Sequence, residues 1–222
     1  MMLNLSGPII QPRDGRPASL LVLLHGYGSD GQDLIGLSPL FADLLNNPVI
    51  FAPDAPEACP LNPMSYQWFP LAAASDFESL HGIDEAALTI QVLLESLWAE
   101  TGLGPAETLL AGFSQGGMLS LYSGLMRDAP LAGILSFSGG LPLDAEFWPE
   151  IRSRPPMLLV HGDMDDVVPM MMSIATADAL VARGLAVTRH ISPGCPHAIA
   201  PDSIEAARRF VAACLPLAGA AT

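Results

Sequence analysis

The strongest constraint on this 222-residue chain is a rhythm: short, almost uncharged apolar runs alternate with longer stretches whose apolar residues recur every three or four positions. The runs at 19–25, 49–53, 107–113, 133–137, 157–161 and 186–192 are bounded by Gly, Pro or Ser and read as buried strands. Between them, Ile83, Ala86, Ala87, Ile90, Leu93, Leu94 and Leu97 form one helical stripe. Met118, Tyr122, Leu125 and Met126 form a second, and Ile174, Ala177 and Val181 a third that Gly184 stops. A fourth runs through Ile204, Ala207, Val211 and Cys214, with Pro201 where a first helical turn tolerates proline. Such alternation predicts the α/β class: a mostly parallel sheet with helices on both faces. The Asp14-Gly15 turn signal predicts that residues 9–11 fold back onto the run at 19–25 as an antiparallel edge. No repeat or linker interrupts the pattern, so residues 1–222 read as a single domain.

Composition narrows the function. Half of the residues are apolar and 14% are charged, enough for a large core and incompatible with disorder. Nine basic residues, all Arg, face 23 acidic ones, for a formal charge of −14. Such a chain is repelled by phosphate backbones and anionic membrane surfaces, so no nucleic-acid partner is expected. No apolar run is long enough for a membrane span. The N-terminus lacks a basic region followed by an apolar stretch, so the expected location is cytoplasmic. Cys59, Cys195 and Cys214 are odd in number and widely spaced, without the spacing of a metal site or a disulfide framework. Nothing in the sequence decides between a monomer and a homodimer.

One stretch breaks the rhythm. Residues 54–79 carry Pro56, Pro60, Pro63 and Pro70 among Met64, Tyr66, Trp68 and Phe69, with neither period. It reads as a long loop, either a pocket wall or a surface crossing with its aromatics tucked into the core.

Chemistry enters at Gly112-Phe113-Ser114-Gln115-Gly116, a G-x-S-x-G pentapeptide. The pattern alone is weak, and a capping serine in a glycine-rich connection would also produce it. Its setting is stronger: a strand runs straight into Ser114 and a helical stripe begins at Met118, as a nucleophile elbow requires. Ser114 would project from the sharp turn, with the Gln115 amide at a helix N-terminus available for an oxyanion. A serine needs a base, and the base an acid, in the chain order Ser, Asp/Glu, His. Of five histidines only His190 and His197 follow the acidic cluster Asp163, Asp165 and Asp166. His190 falls inside a strand, whereas His197 sits in the loop before the last helix and is the expected base. The three aspartates are not separated by sequence physics.

Gly26-Tyr27-Gly28-Ser29-Asp30-Gly31 offers a rival, the G-x-G-x-x-G of an NAD(P)-dependent oxidoreductase, with Asp54 where a ribose-binding acid would lie. Against it, Asp30 and Asp33 would repel a pyrophosphate at the helix start. The better role for this loop is the second oxyanion donor, the Tyr27 amide.

Together HGYGSDGQDL, FAPDAP, YQWF, GFSQGG, HGDMDDVVP and GCPHAI resemble the bacterial carboxylesterase/phospholipase group that includes acyl-protein thioesterases. The resemblance runs from the strand at Ser19 to the last helix. It implies an α/β-hydrolase fold without a separate cap domain, acting without a cofactor or metal on carboxylic esters, thioesters or lysophospholipids. It implies Ser114 as nucleophile, His197 as base, Asp165 as acid, and the amides of Tyr27 and Gln115 as oxyanion hole. Asp166 beside the acid departs from the pattern, as do Met170, Met171 and Met172, which bear on the acyl pocket. The expected activity is a serine carboxylesterase on small esters of short to medium acyl chain. A thioesterase, a lysophospholipase and a catalytically silent binding protein are the alternatives. Trp68, Phe69 and Met170 are the candidate acyl contacts, although such clusters more often belong to a core.

Overall fold

The computed structural model describes residues 5–71 and 80–215. In chain order the strands are β1 (Ile9–Ile10), β2 (Ser19–Leu24), β3 (Pro48–Phe51), β4 (Glu57–Cys59), β5 (Asn62–Gln67), β6 (Thr108–Phe113), β7 (Gly133–Phe137), β8 (Met157–Gly162) and β9 (Val187–Ser192). The α-helices are α1 (Gly31–Ile35), α2 (Ile83–Thr101), α3 (Gln115–Leu125), α4 (Met170–Ala182) and α5 (Pro201–Cys214). Seven strands form one sheet in the order β1-β3-β2-β6-β7-β8-β9. Only β1 runs antiparallel to its neighbour.

The apolar runs are continuous because both faces of the sheet are covered. Leu20, Val22 and Leu24 of β2, Leu110, Ile134 and Leu159 pack with α2, α3 and α4. The intervening Leu21, Leu23, Leu109, Leu135 and Leu158 pack on the opposite face with Leu34 of α1 and Ala207 and Val211 of α5. This is the period of two that strand geometry imposes. The α2 stripe is buried as expected, and the helix ends at Gly102, whose left-handed φ of 72° carries its N–H to Trp98 O. Among the described residues no helix is long and apolar enough to cross a membrane.

Four expectations are corrected. First, β1 pairs with β3, Ile9 opposite Phe51, and not with β2. Both edges of β2 are already taken by β3 and β6, and the turn at 13–16 is clipped to Asn47, whose side chain accepts from Arg13 N and donates to Arg16 O. Second, β9 is an edge strand with mostly exposed or half-buried residues, because within the sheet only β8 flanks it. Third, α4 buries Ser173, Thr176, Ala177 and Leu180, while Val181 is 54% exposed. The inward face includes two hydroxyls whose bonds are satisfied, by Gly139 O and by the Leu141 backbone, and hydrophobic periodicity does not register them. Fourth, the stretch expected to lack regular structure contains the β4–β5 hairpin, hidden by Pro60, Pro63 and an irregularity between Ala58 and Cys59. Residues 72–79 of that stretch lie outside the described residues.

Candidate active site

Side chains and amides gather where β2, β6, β8 and β9 end, the carboxyl edge at which open parallel sheets expose their loops. Ser114 links β6 to α3 with φ 54° and ψ −117°, a conformation that costs about 1–3 kcal/mol and persists only when its surroundings enforce it. Its N–H donates to Phe137 O at 2.8 Å, and its carbonyl accepts from Met118 N at 3.0 Å. The flanking glycines have a steric cause. A Cβ on Gly112 would stand 2.2 Å from Gly116 O, and one on Gly116 would stand 2.0 Å from Leu24 O.

The loop after β2 lies directly against this turn, since a Cβ on Gly26 would be 3.5 Å from Ser114 Cβ. Buried His25 shapes it. Burial depresses the imidazole's affinity for a second proton, against the smaller opposing effects of Gly26 and nearby aspartates. The neutral ring donates from Nδ1 to Gly26 O at 2.8 Å and accepts at Nε2 from Ala55 N at 3.0 Å. The hairpin secures the other side: Gly28 N donates to Tyr66 O, and Tyr66 N to Ser29 O, each at 2.9 Å. Tyr27 N therefore sits in a braced loop, and Gln115 N sits in the first turn of α3, where helical N–H groups lack intrahelical acceptors. Neither amide has an acceptor among the described residues.

His197 lies in the loop between β9 and α5. This loop closes on the end of β8, where a Cβ at Gly162 would meet Cys195 O at 2.2 Å. The three aspartates separate here. Asp163 accepts from Gly194 N, and Asp166 is exposed. The Asp165 carboxylate is fully buried and accepts from His197 Nδ1 at 2.7 Å. Burial alone would raise the Asp165 pKa. Hydrogen bonds from His161, His197 and the Val168 amide outweigh it and hold the carboxyl far below the usual carboxylate range. Asp165 is thus an anion, and the His197 proton is on Nδ1.

Ser114 and His197 both line a groove of about 280 Å³, with the Phe113 ring 4.8 Å from the His197 ring. No direct hydrogen bond joins Ser114 Oγ to His197 Nε2 among the described residues; such bonds are commonly long without substrate and tighten on binding. The arrangement can take a proton from a hydroxyl at one rim while two amides meet an oxyanion. The walls come from Tyr27, Leu34, Leu37, Phe113 and Ile199, with Asp33 and Ser29 as polar members.

The expected acyl contacts lie elsewhere. Trp68 and Phe69 are 2% and 1% exposed and belong to the core. Trp68 Nε1 donates to His25 O, and the Gln115 side chain accepts from Trp68 N and donates to Phe69 O. Met170 opens α4, and none of the three lines the groove. Sequence reasoning missed the bracing roles of His25 and the Gln115 side chain, and the groove walls from α1 and the segment after it. Their signal was only that His25 directly precedes the glycine loop and Gln115 lies inside the pentapeptide. His190 bonds Asp202 on α5, away from the groove.

The dinucleotide alternative finds no support. The five-residue α1 is capped by the Asp30 side chain. Asp54 spends both oxygens on Gly31 N and Ser6 Oγ, so it has no role like that of a ribose-binding acid. Among the described residues no three His, Cys, Asp or Glu side chains are placed to share a metal ion.

Comparison with known proteins agrees with this architecture. The profile of the phospholipase/carboxylesterase family matches residues 5–215. The crystal structure of esterase PE8 is 43% identical and superposes with a TM-score of 0.89, covering 96% of this chain and 100% of that one. A phospholipase/carboxylesterase from Dyadobacter fermentans shares the fold at 24% identity, with a TM-score of 0.72 over 95% of this chain and 98% of its own. Acyl-protein thioesterase 2 of Zea mays does so at 24% identity and 0.69, over 94% and 99%. Sheet order, site position and these likenesses converge: the chain belongs to the phospholipase/carboxylesterase family, carboxylic ester hydrolases of the α/β-hydrolase fold.

Proposed function

We propose that the protein hydrolyses small carboxylic esters of short to medium acyl chain, with Ser114 as nucleophile, His197 as general base and Asp165 as its orienting acid. The observation that carries this reading is the 2.7 Å bond from His197 Nδ1 to the buried Asp165 carboxylate, at the rim of the groove that holds Ser114. With Nδ1 protonated, the Nε2 lone pair is free to accept the Ser114 proton as Oγ bonds to the ester carbonyl carbon. The oxyanion is met by the amides of Tyr27 and Gln115, each such donor contributing about 3 kcal/mol to the transition state. The His197 imidazolium returns the proton to the departing alkoxide as the C–O bond breaks. Water, deprotonated by the same imidazole, then releases the acid from the acyl-enzyme.

The groove is near the small end of ligand sites, which run from roughly 300 Å³ upward, and its walls are mainly apolar. Both features support a short or medium aliphatic acyl group. Asp33, the one carboxylate among the lining residues, disfavours acidic substrates. The sheet shared by the described residues supports one domain without a separate cap.

The test is Ser114→Ala assayed on p-nitrophenyl butyrate, with circular dichroism to verify folding and a fluorophosphonate probe on the wild type. Expected are loss of turnover in the folded variant and rapid labelling of Ser114. Turnover by folded Ser114→Ala, or a wild type that resists the probe, refutes the assignment.

A further inference from the structure

We propose that His161 is a positioning residue for this reaction, a buried imidazole that donates from both ring nitrogens and holds Asp165 opposite His197 as a charge-balanced pair. The inference rests on the roles given above to Ser114, His197 and Asp165.

Proton bookkeeping carries it. His161 is near the end of β8, and its side chain has no solvent exposure. Nδ1 lies 2.6 Å from Ser173 Oγ, and that hydroxyl lies 2.6 Å from Gly139 O. A carbonyl oxygen only accepts, so the single hydroxyl proton of Ser173 points to Gly139, and Ser173 must accept from Nδ1–H. Nε2 faces Val168 O at 2.8 Å and Asp165 Oδ2 at 3.1 Å, again two acceptors. Every neighbour of the ring asks it for a proton. An imidazole with one N–H would leave a lone pair against a lone pair on one side, in a place closed to solvent.

A ring bearing both protons is a cation, and burial requires an anion beside it. Asp165 is that anion. Its Oδ1 accepts from the amides of Val167 and Val168, at 3.0 and 2.9 Å, while Oδ2 accepts from both imidazoles. Asp165 and His197 are the ionisable groups joined in this corner; the Cys195 thiol, turned to the carbonyls of Pro196 and Ala198, lies in the fields of both Asp165 and Asp202. From α4 comes Ser173, and from the segment after β7 a backbone carbonyl. Four donors fix the carboxylate so that Oδ2 aims at His197. The His161 charge also offsets that of Asp165 where the carboxylate faces His197.

The experiment uses the intact enzyme. Long-range proton–nitrogen NMR of the wild type in neutral buffer should show both His161 ring nitrogens protonated. His161→Gln, which keeps an amide donor near Asp165 but no charge, should retain turnover while the acid limb of its kcat/KM profile moves up by about one pH unit. An unprotonated ring nitrogen in the wild type overturns the proposal whether or not the variant folds. An acid limb that stays in place while activity falls does so as well, since a purely structural role predicts it. Ser114 labelling is independent: if the probe labels Ser114 and the NMR result is negative, only the His161 role fails.

Discussion

Replacing Asp165 by asparagine tests both the chemistry and the packing of the corner. The carboxylate accepts four N–H donors: Val167 and Val168 on Oδ1, His161 and His197 on Oδ2. In the asparagine variant the carbonyl can keep the two backbone amides, but the NH₂ group then meets His197 Nδ1 and His161 Nε2, donor against donor. Two bonds to imidazoles are lost, each worth about 1.5–3 kcal/mol when a charge is involved. Unpairing the buried His161 is expected to bring the total stability loss to about 3–5 kcal/mol. His197 would be driven to the tautomer with its proton on Nε2, which cannot accept the Ser114 proton. In serine hydrolases that error costs roughly 10⁴-fold in kcat. The assay is p-nitrophenyl butyrate turnover by enzyme shown to be folded, beside urea unfolding and the parallel variants Asp163→Asn and Asp166→Asn. Asp166→Asn should behave as wild type, because that side chain is exposed. Asp163→Asn should lose little, since asparagine can still accept from Gly194 N. Activity of Asp165→Asn within tenfold of wild type, or an equal loss at Asp166, would falsify the assignment of the acid.

Two further outcomes are expected. Gly116→Ala forces a Cβ to 2.0 Å from Leu24 O, a clash with backbone that no rotamer relieves; it should cost about 3 kcal/mol and slow Ser114 labelling, and a variant as stable as wild type by thermal unfolding would contradict the close approach. His25, neutral because burial lowers its pKa, gives the opposite sign to a charge-paired histidine. The unfolded chain takes up that proton first, near pH ~6.5, so this contribution to stability is present above that value and declines as pH falls below it. Urea midpoints across this range, with the His25 ring signal followed by NMR, check the claim; titration of His25 at or above its ordinary value would contradict it.

The α/β class, the parallel sheet, the α2 stripe and the strand–turn–helix at Ser114 were legible because each depends on local period or on a turn that only glycine permits. The order of Ser114, the aspartate cluster and His197, and the place of Tyr27 in a glycine loop, are read directly from the chain. What local pattern could not decide was which long-range partner each residue would meet. Asp163, Asp165 and Asp166 look alike in the chain, and only the closure of the β9–α5 loop onto β8 brings His197 to Asp165 and a backbone amide to Asp163. Trp68 and Phe69 suit a pocket wall by composition, yet the Gln115 side chain and His25 O draw their segment into the core. The inward face of α4 is set by hydroxyls whose partners lie on the segment after β7, invisible to a hydrophobic count. Periodicity reports how a segment partitions between core and water, whereas a hydrogen bond reports distance and direction across the fold. The first is written in the order of the residues, and the second exists only once the chain has closed.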